Sequence, residues 1–337
     1  MGGDPLRVWL LSDGLPGHYH QAVAIANALA AERPVEVVWV DLRLRVGLAR
    51  RLLRFILNRT GRPLSPRRLT WFYRGVLPAG RPDLVISAGG RTSFANAWVG
   101  RWFRAPNFFA GSLRGLSARH FTAVLTLEAV AGAANNIVLD LPLSRVDPRT
   151  LAGLPIPDHW RRPCWALLAG GDGAGYRYGE ADWRRLVEAL GVLAQAHGIR
   201  WLVSGSRRTG ATLPALLADN GEGFIEDVDF HTGEGESGLL RYLAAADKVF
   251  VTEDSMSMLS EAMGSGKPVF SLSPAHARPN ARYLAALARF EGRGLIRRLA
   301  IRDLADCGAE RLEGLQPPND GASSRRLAGR LASFLPD

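Results

Sequence analysis

A chain of 337 residues with 47% apolar side chains can build one large or two medium domains, and its formal charge of +10 comes mainly from arginine. Two cysteines exclude a disulfide scaffold and a cysteine-rich zinc cluster, while the 37 glycines and 20 prolines are dispersed, which indicates turns rather than disorder. No apolar run reaches the roughly 18 residues of a membrane span and no cleavable signal pattern opens the chain, so a cytoplasmic location is expected.

In chain order, Arg7–Leu11 reads as a first buried strand. The loop Ser12–Gln21 follows and brings His18 close to a helix over Ala22–Ala31. Val35–Val40 is the second strand, and a strand–loop–helix–strand order opens a doubly wound domain. The loop lacks the GxGxxG pattern of a classical dinucleotide fold. Val46–Arg59 reads as a helix with Leu48, Leu52, Phe55 and Ile56 on one side and Arg50, Arg51, Arg54 and Arg59 around the rest. Two readings stay open for it: an interfacial helix on an anionic membrane surface, or a core-facing helix whose arginines meet water. It lies within 43–74, which holds ten arginines and neither Asp nor Glu. Such a field suits phosphates, acidic lipids or nucleic acid. No helix-turn-helix, RRM, KH or zinc-finger pattern is present and the aromatics are clustered, so nucleic acid is not the expected partner.

Gly61–Arg68 reads as a basic loop and Leu69–Leu77 as a resumed helix. Asp83–Ser87 (DLVIS) is a strand, followed by AGGRT and a helix over Thr92–Trp102. Gly89, Gly90 and Arg91 allow close backbone approach to a substrate, or simply a tight turn. Asn107–Ala110, Ala123–Thr126 and Asn136–Val138 complete the strands of this half. Leu141–Pro163, with five prolines and no period, is the domain boundary.

The second half opens with the strand Trp165–Ala169 and the glycine loop Gly170–Tyr176, then a helix over Asp182–Leu193. The strand Ile199–Val203 ends in SGSRRTG, where Arg207 and Arg208 lie within reach of an anionic ligand. Ile225–Phe230 is a weaker strand and Gly238–Ala246 a helix. Lys248–Phe270 then runs strand (Lys248–Thr252), polar turn (Glu253–Ser255), helix (Met256–Met263), glycine turn and strand. A strand feeding a helix N-terminus is suited to phosphate, and topology gathers the three post-strand loops Gly170–Tyr176, Ser204–Gly210 and Glu253–Met258 at one sheet edge. Asp172 and Glu253 are candidates for a carboxylate site across these loops. Asn280–Glu291 and a terminal helix from Ser323 to about Phe334 end the chain.

Five stretches, in order, carry a family resemblance: DGLPGHYHQAVAIANAL (Asp13–Leu29), PDLVISAGGRTS (Pro82–Ser93), GGDGAGYRY (Gly170–Tyr178), SGSRRT (Ser204–Thr209) and VTEDSMSMLSEAMGSGKPV (Val251–Val269). On these the chain resembles the bacterial branch of the ELM1-like family over nearly its full length. The resemblance implies an α/β GT-B-like fold: two Rossmann-like domains facing a central cleft, with no metal. The expected domains are 1–145, facing an acceptor or membrane; 160–310, binding a nucleotide-sugar; and 311–337, a helix returning to the first.

A more distant resemblance to MurG-like glycosyltransferases implies roles. Gly17–His18 matches their glycine–histidine pair before a helix, although Leu15 and Pro16 replace their glycine-rich loop. Ser255, Ser257 and Glu261 match a serine turn followed by a helical glutamate. By that likeness Glu261 receives ribose hydroxyls and the Met256–Met258 backbone holds a diphosphate; Gly171, Ser204, Arg207 and Arg208, on the other two post-strand loops, are further candidates for the donor site. His18 is the candidate base and Arg207 the candidate for charge on the leaving diphosphate. Asp13 is expected to be structural or to orient substrate. The expected activity is sugar transfer from a nucleotide-sugar, with UDP as candidate nucleotide and no other cofactor, to a lipid-linked or polysaccharide hydroxyl. Epimerisation or hydrolysis of a nucleotide-sugar is one alternative. The other is a non-catalytic adaptor of the same fold at the inner face of the cytoplasmic membrane.

Overall fold

The computed structural model describes residues 4–47, 49–59, 65–160, 163–230, 238–318 and 322–335. It divides into two compact units, 1–145 with 322–337, and 146–321. The first unit holds β1 (Leu6–Ser12), α1 (Pro16–Ala30), β2 (Val35–Asp41), β3 (Arg43–Leu44), α2 (Ala49–Arg59), α3 (Pro66–Leu69), β4 (Tyr73–Arg74), β5 (Leu84–Ala88), α4 (Ser93–Phe103), β6 (Asn107–Ala110), β7 (Ala123–Thr126) and β8 (Asn136–Val138). Six of these strands form one parallel sheet in the order β2-β1-β5-β6-β7-β8. Side chains alternate across it, so Val8 and Leu10 pack beneath α1, whereas Trp9 and Leu11 face a second core with Leu53, Leu57 and Trp98. The terminal helix Ala322–Ala332 adds Ala328 and Leu331 to the α1 side, and its Arg326 pairs with Asp140 at 3.0 Å.

The second unit runs α5 (Pro148–Ala152), β9 (Cys164–Ala169), β10 (Tyr176–Arg177), α6 (Glu180–His197), β11 (Arg200–Gly205), α7 (Thr212–Asn220), β12 (Ile225–Phe230), α8 (Leu239–Ala245), β13 (Lys248–Thr252), α9 (Met256–Gly264), β14 (Val269–Ser273), β15 (His276–Ala277), α10 (Ala281–Gly292), β16 (Arg297–Ala300) and α11 (Ala309–Leu312). Its parallel sheet has the order β12-β11-β9-β13-β14-β16. Trp165 stacks on Phe250, and Phe250 on Phe270, with centroids 5.5 and 4.8 Å apart, so aromatic residues on three neighbouring strands cross-link one face.

Three expectations need correction. The segment 69–77 is not a helix: only Leu69 ends α3, and Tyr73–Arg74 pairs antiparallel with Arg43–Leu44. Helix α1 begins at Pro16 rather than Ala22, because proline presets the helical φ and its missing N–H costs nothing in a first turn. On α2 the core-facing side is Leu53 and Leu57, while Leu52 and Phe55 are more than half exposed. Leu48 and the first half of the loop Gly61–Arg68, residues 61–64, lie outside the described residues.

Candidate functional site

Each sheet changes direction once. In the first unit the chain goes from β1 to β2 and then returns to β5 on the other side of β1; in the second it goes from β9 to β11 and β12, then returns to β13. In open α/β sheets the crevice beyond the strand ends at such a switch point is where ligands bind. The switch crevice lies past Ser12 and Ala88 in the first unit, and past Ala169 and Thr252 in the second.

At the first crevice, Asp13 follows β1 with its side chain 1% exposed, and His18 stands in the first turn of α1 with its side chain 33% exposed. The His18 Nδ1 lies 3.0 and 3.2 Å from the two Asp13 oxygens. A carboxylate there accepts a hydrogen bond from Nδ1–H, which leaves Nε2 as the basic nitrogen. The loop is fixed by Leu15 N–H to Asp13 Oδ1 at 3.2 Å and Gly14 N–H to Ser12 Oγ at 3.1 Å. Burial pushes the Asp13 carboxyl up, but the hydrogen bond and charge of His18, the Leu15 N–H and the Arg91 charge together hold it below its ordinary value. Gly89, at φ +84°, lies flat against the His18 ring, where any Cβ would collide. The AGGRT turn thus serves the imidazole.

At the second crevice, Gly170 N–H donates to Thr252 Oγ1 at 2.7 Å and joins the two strand ends. The Thr209 hydroxyl lies 2.6 Å from the Gly170 carbonyl, and a Cβ on Gly171 would collide with the Arg208 carbonyl. Gly171 therefore permits contact between two loops. Ser204 is buried on β11, Arg207 is exposed, and Arg208 is held by Asp254 at 2.6 Å. The Asp254 side chain is fully buried, which raises its carboxyl, with the Thr252 hydroxyl and Arg208 opposing. Ser255 caps α9 with extended backbone and no side-chain cap bond; its Oγ lies 3.2 Å from Ser257 Oγ. The first backbone bond of the helix runs from Leu259 N–H to Ser255 at 3.0 Å, so the N–H groups of Met256, Ser257 and Met258 precede the ladder. Glu261 is 5% exposed in the same helix.

Behind this turn lies a polar network that the sequence did not disclose. Glu253, fully buried, accepts Arg298 Nε at 2.6 Å and Ser271 Oγ at 2.9 Å on one oxygen. Its other oxygen accepts the second Arg298 nitrogen at 2.9 Å and the Tyr176 hydroxyl at 3.0 Å. Tyr283 donates its hydroxyl to the Glu253 carbonyl at 2.6 Å and the Tyr178 hydroxyl meets the Glu253 N–H at 3.1 Å. The Glu253 bond raises Arg298, and burial followed by the Glu253 charge raises Tyr176. Asp172 is not part of this network: its Oδ1 takes the Tyr178 N–H at 3.0 Å. The proposed Asp172–Glu253 site is thereby replaced by a Glu253–Arg298 pair. A glutamate in the turn directly after a buried strand, once itself buried, needs a cation partner, but nothing in the sequence selects Arg298 for it.

Comparison with known proteins identifies the fold and the family. A putative UDP-N-acetylglucosamine 2-epimerase from Listeria monocytogenes matches with a TM-score of 0.58 at 14% identity, over 98% of this chain and 96% of that one. The calicheamicin glycosyltransferase CalG4 matches with a TM-score of 0.52 at 13% identity, over 99% of each chain. These likenesses show the fold, two Rossmann-like units of the GT-B kind. Among curated sequences, the uncharacterized protein RP120 of Rickettsia prowazekii is 21% identical over 319 residues, 80% of this chain and 84% of that one. The profile described as mitochondrial fission ELM1 matches residues 16–320, from the first residue of α1 past the Glu253–Arg298 network, and the chain belongs to that family.

Proposed function

We propose that the protein transfers a sugar from a nucleotide-linked donor, with UDP as the candidate nucleotide, to an acceptor hydroxyl on a lipid-linked or polysaccharide substrate. The observation that carries this is the Asp13–His18 pair at the first switch crevice, at 3.0 Å with Nε2 left as base. His18 Nε2 takes the acceptor proton, the acceptor oxygen bonds to the anomeric carbon, and the bond from that carbon to the diphosphate breaks with its electron pair on the leaving nucleotide. In the second unit the unladdered N–H groups of Met256–Met258 receive the diphosphate, and Glu261 the ribose hydroxyls. Ser204 and Gly171 border that site. Arg208 is committed to Asp254, so Arg207 is the arginine left to meet the leaving charge. The relatives' printed names support the donor class: one is a putative UDP-N-acetylglucosamine epimerase and one a glycosyltransferase.

Among the described residues no helix is long and apolar enough to cross a membrane. The basic segment instead suits an anionic membrane surface, with Leu52 and Phe55 exposed beside Arg51 and Arg54. The test of the donor site is calorimetry with UDP and UDP-sugars on the whole chain. Micromolar to millimolar binding is expected, weakened about tenfold or more by Glu261→Ala. A folded protein that binds none of them overturns the reading in favour of an adaptor. Sugar lost to water or inverted on the nucleotide, with none on any acceptor, turns it into a hydrolase or epimerase.

A further inference from the structure

The segments that follow β2, β1, β5 and β6 lie side by side at the carboxyl edge of the first sheet, and all but the one after β1 include an exposed arginine: Arg43, Arg91 and Arg114. Two of these are placed by the same glycine turns that place His18. The Arg43 guanidinium lies on Gly14, where a Cβ would come within 3.2 Å of it. Gly14 is joined to Asp13, whose oxygens hold the imidazole. The Arg114 side chain lies on Gly90, again 3.2 Å from where a Cβ would stand, and Gly90 is joined to Gly89, which lies against the imidazole ring itself. Each of these two side chains thus rests on a residue whose chain neighbour touches His18. Arg91 ends the same turn, with its carbonyl held by the Tyr73 hydroxyl at 2.7 Å.

Arg114 is held there against its own backbone preference. Its φ is +48°, in the left-handed region that residues with long side chains rarely adopt. Helix α2 clamps the turn: Arg54 donates to the Arg114 carbonyl at 3.4 Å and Asn58 Nδ2 to the Gly115 carbonyl at 3.0 Å. Contact with water alone would not require that conformation. Among the described residues, Arg43, Arg91 and Arg114 form no ion pair. The acidic residues of these segments are Asp13, taken up by His18, and Asp41, exposed and paired with none of the three. Three guanidinium groups against one open carboxylate leave an excess of positive charge around the imidazole, and forked donors of this kind suit phosphate.

We propose that the first crevice takes a phosphate ester that bears a free hydroxyl, its phosphate held by Arg43 and Arg114 and its hydroxyl presented to His18. The inference rests on the acceptor half of the proposed transfer and names its substrate class. A neutral alcohol would leave the arginines without a counter-charge, and an inorganic phosphate would bring the charge without a hydroxyl to receive the sugar. Sugar phosphates and lysolipid phosphates share this chemistry.

Protection of His18 from carbethoxylation by diethyl pyrocarbonate, read by peptide mass spectrometry on the full chain, tests this at the imidazole itself. Saturable protection is expected from glucose 6-phosphate, from octanoyl lysophosphatidic acid below its micelle concentration, or from both, which separates a sugar-borne from a lipid-borne phosphate. Glucose at the same concentration should give none. The double variant Arg43→Ala/Arg114→Gly should raise the half-protecting concentration about tenfold or more, with calorimetric affinity for UDP unchanged. Both positions are exposed and glycine adopts the left-handed φ of Arg114 without strain, so the variant should fold. Equal protection by glucose, or a variant protected as the parent is, overturns the proposal. So does a variant that loses UDP affinity, because the arginines would then serve the donor. Protection by phosphate esters with no sugar transfer overturns the transferase reading and leaves this site standing. Transfer to neutral acceptors with no protection by phosphate esters does the reverse.

Discussion

The two switch crevices occupy equivalent positions in similar sheets, yet they are built in opposite ways. The first is sparse: one imidazole, a third exposed, held by one buried carboxylate and flanked by glycine. The second is dense: a fully buried glutamate with four side-chain donor contacts, three tyrosines packed around its turn, and an Asp254–Arg208 pair above. A group that exchanges protons has to be reachable and titratable, so it tolerates little around it. A surface that must present backbone N–H groups to a fixed anion needs a rigid support, because disorder there is removed at the expense of binding energy. On the proposed function, this contrast fits chemistry in the first unit and preorganisation in the second.

The largest expected effect is therefore on stability in the second unit. Glu253→Ala leaves Arg298 without its partner and should lower unfolding free energy by about 3–5 kcal/mol, read by chemical denaturation. His18→Ala, at a half-open position, should cost under about 1 kcal/mol. Replacing both partners as Glu253→Leu/Arg298→Met should recover much of the loss, since the penalty comes from the stranded charge. Equal destabilisation by Glu253→Ala and His18→Ala would erase the distinction between the crevices.

On turnover the order inverts. With a nucleotide-sugar and a competent acceptor, His18→Ala should lower kcat by about 10²–10⁴-fold with donor affinity nearly unchanged, and Asp13→Asn should follow in the same direction. A His18→Ala enzyme with the parent's kcat would remove the base from the first unit.

How much of this was legible in the sequence follows from whether each feature is local. Strands such as Leu84–Ala88 and Lys248–Thr252 are short, mainly apolar runs with buried residues on both faces, and the turn into α9 is a polar break directly after the second, so periodicity and turn chemistry locate both. Tyr73–Arg74 reads as part of a helix because its reason to be extended, the pairing with Arg43–Leu44, is thirty residues away. Strand β16 is too polar in Arg297–Arg298 to announce itself, and it was the missing source of the arginine that neutralises Glu253. His18 was found as a residue but not as half of a pair. Asp13 and His18 lie on no common strand or helix face; the chain reversal at Gly14, φ +79°, is what brings them together.

The smallest effect is also the most discriminating, because the two crevices should respond to acid with opposite sign. The Asp13 carboxyl is held below its ordinary value, chiefly by His18 against the cost of burial. Its contribution to stability is present above the unfolded carboxylate value near ~3.9 and is lost as pH falls through its lower folded value. The Asp254 carboxyl is raised, chiefly by burial. Its linkage contribution is full below the unfolded value and is lost as pH rises through the folded one, so it offsets part of the acid loss. Calorimetric Tm measured from about pH 6 to about pH 3.5 should therefore fall less steeply in Asp13→Asn than in the parent, and more steeply in Asp254→Asn. Matching slopes in both variants would mean that neither carboxylate couples to its crevice as the geometry requires. Slopes that separate in this order would show that the first crevice is organised around a charge it keeps, and the second around one whose burial opposes ionisation.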